Sequence, residues 1–193
     1  GGLRRARIFA RTGGGASPWL ALWRGMIESF ANSTQLAELA AEMTAQALSA
    51  AIAERGGAVL VGTGGRSPGP VYDRLAATSL DWSKVSVTLS DDRFVPPTSP
   101  DSNERLIRER LLTGAAGAAS FTPMSVTAAS VEAAAEAVEP RVRALAPYDV
   151  MLLGMGEDGH VASLIPGSPV LAAGMDPQGA HYCLGVPAGV GPA

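Results

Sequence analysis

The chain has 193 residues, 47% of them hydrophobic and 17% charged, enough for one globular domain with a substantial core. Its formal charge of -3 supplies no basic field to recruit nucleic acid or an anionic membrane surface. Cys183 is the lone cysteine, which excludes a disulfide framework within one chain, and no apolar run reaches the ~20 residues of a membrane-spanning helix. That cysteine usage fits a reducing, cytoplasmic compartment.

Residues 1–27 carry Arg4, Arg5, Arg7, Arg11 and Arg24 but no acidic side chain. In composition this resembles an organelle transit peptide or a basic arm. The plainer expectation takes Met26 as the natural start and residues 1–27 as an N-terminal extension, with a single domain over 28–193. The closing VPAGVGPA stops in Gly and Pro without completing an element, so that domain is expected to be incomplete at its C-terminus.

Ser33 is placed to cap a helix running to about Arg55, with Leu36, Leu39, Ala40, Met43 and Ala47 as its apolar stripe and Gly56-Gly57 ending it. A short apolar strand at 58–61 leads into GTGGRSPG, then a helix carrying Val71, Tyr72 and Leu75. Pro68 suits a first helical turn, where its missing N–H costs nothing. Val85–Leu89 alternates as a strand does and ends in Ser90-Asp91-Asp92-Arg93. After a Pro-rich loop, Asp101 or Ser102 caps a helix with Leu106, Ile107, Leu111 and Leu112. Residues 130–146 are Ala-rich and helical in pattern, restarted or kinked at Pro140. The strand Val150–Leu153 precedes GMGEDGHVASLIPG, in which His160 is expected to open a short helix stopped by Pro166-Gly167. A last strand is expected over 181–186.

Strands alternating with helices predict an α/β fold: three layers, a mainly parallel sheet with helices on both faces, Rossmann-like. Ligands in such sheets bind beyond the carboxyl ends of the strands. Three strands end in polar loops, GTGGRSP, SDDR and GMGEDGH, and parallel strands would bring all three to one edge.

GTGGRSPG lacks the third glycine of a dinucleotide fingerprint and the lysine of a Walker A loop. Gly65-Arg66-Ser67-Pro68-Gly69 matches the nucleophile elbow G-x-S-x-G of serine hydrolases, but Pro68 has no N–H for the oxyanion hole. A glycine turn at a helix N-terminus remains, where Gly64, Gly65, Arg66 and Ser67 suit a phosphate; the alternative is a tight turn without a ligand. Asp91 and Arg93 could sit over a polyol phosphate or form a solvated turn. Gly159 permits a turn other residues resist, and His160 beyond it could be a base oriented by Asp158 or Glu157, or a structural cap. A neutral ring would be favoured by the positive end of the helix expected there. One histidine and scattered carboxylates make no recognisable metal ligand set.

Taken in order, VGTGGRSPGPVYDRLA, DWSKVSVTLSDDRFVPPTSPDSNERLIRERLL and YDVMLLGMGEDGHVASLIPGSP resemble the glycine-rich phosphate loop, the Asp-Glu-Arg segment with its Ser-Asn helix, and the histidine motif of bacterial 6-phosphogluconolactonases. These lie within the wider glucosamine-6-phosphate isomerase/deaminase superfamily. The resemblance runs from about Phe30 to Ala193. Asp92 stands where glutamate is usual, and Val161 and Ile165 replace the more common Thr and Phe. In deaminases the histidine is followed by Ile-Ala-Phe-Asn-Glu-Pro; here Val161-Ala162-Ser163-Leu164-Ile165-Pro166 follows, the lactonase-like form. The family's C-terminal Arg-Ile-Thr-Leu-like strand and Gly-x-x-Lys segment are not in this sequence.

The resemblance implies hydrolysis of 6-phospho-D-glucono-1,5-lactone to 6-phosphogluconate in the oxidative pentose phosphate pathway, without cofactor or metal. Gly64, Gly65, Arg66, Ser67 and Arg93 would hold the 6-phosphate, and Asp91 the sugar hydroxyls. His160, positioned by Asp158, would activate water, with backbone donors around Gly154 to Gly156 steadying the oxyanion. The expected partner is the sugar-phosphate lactone alone, with no nucleic acid and no membrane; oligomeric state is not legible. The alternatives are a glucosamine-6-phosphate isomerase or deaminase, and a non-catalytic sugar-phosphate sensor.

Overall fold

The computed structural model describes residues 28–189 together with the strand Arg7–Phe9, called β1. The expected start at Met26 lies outside the described residues. The remaining elements are α1 (Ser33–Arg55), β2 (Ala58–Gly62), α2 (Gly69–Ala76), β3 (Val85–Leu89), α3 (Asn103–Arg110), β4 (Ser120–Phe121), α4 (Val131–Arg143), β5 (Val150–Leu153) and α5 (Leu171–Met175). The sheet order is β1-β5-β2-β3-β4. Strands β2 to β5 run parallel, and β1 pairs antiparallel with β5. The expected α/β architecture is therefore present, with β4 a two-residue strand the pattern did not reveal.

Right-handed crossovers dictate the layers. From β2 through α2 to β3, and on through α3 to β4, the chain steps in one direction and keeps its helices on one face. From β4 it returns past β2 to reach β5, so α4 falls on the other face. The packing follows this division. Leu48 of α1, Tyr72 and Leu75 of α2, and Ile107 of α3 are buried with Leu60, Val87 and Val150 in the main core. Val138, Val142 and Cys183 form a separate cluster. Burial of each large apolar side chain contributes about 1.5–3 kcal/mol.

Helix α1 begins one residue earlier than the Ser33 cap expected: the Asn32 side chain accepts from the Gln35 N–H. Gly56, at φ 79°, ends it. Its buried face is Ala37, Ala40, Ala41, Thr44, Leu48 and Ala51; Leu36, Leu39, Met43 and Ala47 only flank it. The small residues let α1 approach its neighbours closely, so the apolar bulk of the sequence misplaced the face. Ser102 caps α3 by accepting from the Arg105 N–H, and Pro140 lies inside a continuous α4.

Two expected elements do not form. Residues 181–186 make no strand. Instead the Glu139 carboxylate accepts the N–H groups of Tyr182 and Cys183, docking that segment on α4. His160 opens no helix either. The backbone there makes the isolated bridges Met155↔Val161 and Val161↔Leu164, and α5 starts only at Leu171.

Candidate active site

The loop between β2 and α2 is held from beneath. Tyr72 is fully buried, and its hydroxyl accepts from the Thr63 N–H and donates to the Thr63 carbonyl, each at 2.7 Å. Burial raises its pKa far above the ordinary value, so the hydroxyl stays protonated. Gly62 and Gly64 allow α3 to lie against this loop. A Cβ on Gly62 would meet the Ile107 side chain, and one on Gly64 would collide with the Asn103 amide. Gly65 takes φ 94°, which turns Gly65, Arg66 and Ser67 out to solvent. Pro68 and Pro70 have no N–H, so α2 offers fewer backbone donors than most helix N-termini. Anion-binding capacity here rests on the 64–67 loop and the Arg66 guanidinium.

Beyond β3 the two aspartates diverge. Asp92 turns toward α3 and accepts the N–H groups of Asn103, at 2.7 Å, and Glu104, at 3.1 Å. Its half-burial raises its pKa, and the N–H donors of Asn103, Arg93 and Glu104 pull the other way. Asp92 thus anchors a loop on a helix N-terminus, which suits a carboxylate. Asp91 points elsewhere: its oxygens accept from the hydroxyls of Ser90, at 3.0 Å, and Ser163, at 2.7 Å. Arg93 is exposed. Among the described residues neither Arg66 nor Arg93 forms an ion pair, whereas Arg74, Arg105, Arg108 and Arg143 are each paired with a carboxylate.

The loop after β5 folds tightly on itself. Gly159, at φ 87°, reverses the chain so that the Asp158 carboxylate meets His160 twice. Asp158 Oδ1 lies 2.6 Å from the ring Nδ1 and accepts the His160 N–H at 3.2 Å. Those two contacts, the ring first, hold the Asp158 pKa below the ordinary carboxylate value. A neutral ring that donates Nδ1–H to Asp158 carries its lone pair on Nε2. The helix dipole expected to act on this ring is absent, and the carboxylate takes over its orientation. Gly156 donates its N–H to the His160 carbonyl at 2.9 Å. The backbone donor anticipated there is already engaged. A Cβ at 156 would also strike the imidazole, so this glycine seats the ring.

A chain of contacts joins the three loops. Gly64 abuts the Asn103 side chain, Asn103 Nδ2 donates to the Asp91 carbonyl at 2.9 Å, and Asp91 accepts from Ser163, three residues beyond His160. The structure thus ties the expected phosphate loop, the aspartate turn and the histidine corner along one sheet edge. A cleft of about 540 Å³ lies beside them, and of the site residues it includes only Asp92 and Arg93. Its other walls, among them Met124, Val131 and Val138, are largely apolar and poor in donors for a polyol phosphate. Cys183 lines it too; burial pushes that thiol up to about 11, which leaves it unreactive. Among the described residues no cluster of His, Cys, Asp or Glu could hold a metal ion, and no helix is long and apolar enough to cross a membrane.

Tyr72, Asn103 and Ser163 carry this arrangement without standing out in the sequence. Tyr72 reads there as one apolar position, Asn103 as part of a cap, and Ser163 as one residue of the short helix expected after His160. A tyrosine facing the strand end beside a glycine loop is the one clue that pattern offered.

Comparison with known proteins gives the family. The family model described as glucosamine-6-phosphate isomerases/6-phosphogluconolactonase matches residues 31–187. A 6-phosphogluconolactonase of Caulobacter vibrioides is 44% identical over 161 residues, covering 83% of this chain and 69% of its own. One from Pseudomonas aeruginosa is 48% identical over 147 residues, covering 76% of this chain and 61% of its own. The chain therefore spans roughly two thirds of the length of these relatives. The crystal structure of a 6-phosphogluconolactonase from Shewanella baltica superposes with a TM-score of 0.76 at 35% identity, over 82% of this chain and 67% of that one. The chain belongs to the glucosamine-6-phosphate isomerase/6-phosphogluconolactonase family.

Proposed function

We propose that the chain carries the active site of a 6-phosphogluconolactonase, opening 6-phospho-D-glucono-1,5-lactone to 6-phosphogluconate in the pentose phosphate pathway of the cytoplasm, without cofactor or metal. The observation that carries this reading is the contact chain from Gly64 through Asn103 and Asp91 to Ser163, which ties an anion-binding turn to a carboxylate-oriented imidazole. A substrate with phosphate at one end and an ester carbonyl at the other uses both.

In this mechanism Gly64, Gly65, Arg66 and Ser67 receive the 6-phosphate, with Arg93 adding charge. That remote anchoring orients the lactone carbonyl. His160 Nε2 takes a proton from water as its oxygen bonds to C1. Asp158 keeps the ring aligned and compensates the positive charge it acquires. The tetrahedral intermediate collapses by breaking the bond from C1 to the ring oxygen, which receives the proton from His160. The new carboxylic acid then ionises.

The test is a pH-stat titration on freshly generated lactone, corrected for spontaneous opening, run beside an assay for ammonia release from glucosamine 6-phosphate. Base uptake well above the spontaneous rate, with no ammonia, is the expected result. Ammonia release would assign deaminase chemistry instead, and binding without either turnover would assign a sensor.

A further inference from the structure

We propose that Ser163 and Asp91 are positioning residues for His160, forming a latch that fixes the 154–167 loop against the sheet; the inference rests on the lactonase reading for its kinetic arm only. The Asp158–His160 contacts span two residues and move with the loop, so they orient the ring locally but cannot place it relative to the phosphate turn. Among the described residues, the side-chain hydrogen bond that leaves this loop is Ser163 Oγ to Asp91 Oδ2, at 2.7 Å. Its acceptor is tied down. Ser90 N–H donates to the Gly62 carbonyl at 2.7 Å, extending the β2–β3 ladder by one rung, and Asn103 holds the Asp91 carbonyl. The latch therefore measures the position of His160 from the sheet and from the helix that abuts Gly64.

The backbone beside it supports this assignment. Among the described residues Ala162 is the non-glycine residue with positive φ, at 49°. Among L-residues this conformation is uncommon for alanine and persists where surrounding contacts impose it. Here it lies between the Val161↔Leu164 bridge and the Ser163 hydrogen bond, which together set the turn after His160. A hydroxyl donating to a carboxylate is a charge-assisted bond, stronger than a neutral one. Asp91, expected to bind sugar hydroxyls, already accepts from two serines, so its geometry favours holding the loop over holding the sugar.

The chain has two histidines, which makes the test direct. Long-range proton–nitrogen correlation gives both imidazoles, with exposed His181 as internal control. In Ser163→Ala the His160 signals are expected to shift or broaden while those of His181 stay in place. In the same variant kcat for lactone opening should fall about tenfold with KM within about twofold, because ring placement is lost and phosphate anchoring is kept. Ser163→Thr, which keeps the hydroxyl, should recover both readouts. Unmoved His160 signals in Ser163→Ala, or a rise in KM with kcat intact, would overturn the latch. If the parent chain does not open the lactone, the lactonase reading fails alone and the imidazole spectra still decide the latch.

Discussion

The two ends of the candidate site are built differently. The phosphate turn rests on packing: Gly62, Thr63, Pro68 and Gly69 are buried, Tyr72 grips the backbone from inside the core, and Ile107 and Asn103 press on the glycines. No residue of the histidine loop is fully buried: 156 and 160–165 are only partly covered, and Met155 at its start is 61% exposed. It keeps its shape through the two bridges, the Asp158 contacts and the Ser163–Asp91 bond. Substrate anchoring is thus coupled to the stability of the domain, while the reacting group rides on a segment that can be altered without unfolding it. Damage to the first end should appear in Tm and KM, and damage to the second in kcat.

The largest stability effect should come from Tyr72→Phe. It leaves the N–H and carbonyl of Thr63 without their buried partner, at a cost of about 2–3 kcal/mol. For a domain of this size that lowers Tm by about 4–12 °C, measurable by calorimetry. An unchanged Tm would break the contrast at its firmest point. Gly64→Ala should follow, costing about 1–3 kcal/mol by overpacking against Asn103 and raising KM for the lactone as the turn shifts. Asp158→Asn probes the other end. Its side chain is exposed, so Tm should stay close to that of the parent, yet kcat should fall at least about tenfold as the ring loses its anionic partner.

A smaller effect concerns titration. Because hydrogen bonds from His160 depress the Asp158 pKa, the contribution of Asp158 to loop order is complete above the ordinary carboxylate value of about 3.9 and disappears as pH falls through the depressed one. Carboxyl carbon shifts should place the Asp158 midpoint below that value in the parent chain and return it toward about 3.9 in His160→Ala. Equal midpoints in the two chains would remove the Asp158–His160 contact from the account.

The same contrast governs what could be read in the sequence. Strands β3 and β5, the cap at Ser102 and the convergence of three polar loops follow from period and turn chemistry, which are local. The helix expected at His160 failed because Val161, Leu164 and Ile165 have helical spacing, while positive φ at Gly159 and Ala162 bends the backbone into bridges instead. The strand expected over 181–186 does not form because a strand needs a neighbour, and Glu139 on α4 captures that segment instead. Asp91 is visible as a polar residue at a strand end, but its tie to Ser163 spans 72 residues, so no local signal reveals that contact or the part Ser163 plays in it.

The central claim is that His160 is the base that opens the lactone, and it is tested most directly by kcat for His160→Ala against the parent chain, with spontaneous opening subtracted. The account predicts a loss of about 10²–10⁴-fold, with KM close to that of the parent, since the phosphate turn is untouched. Turnover by the variant within about twofold of the parent would contradict it.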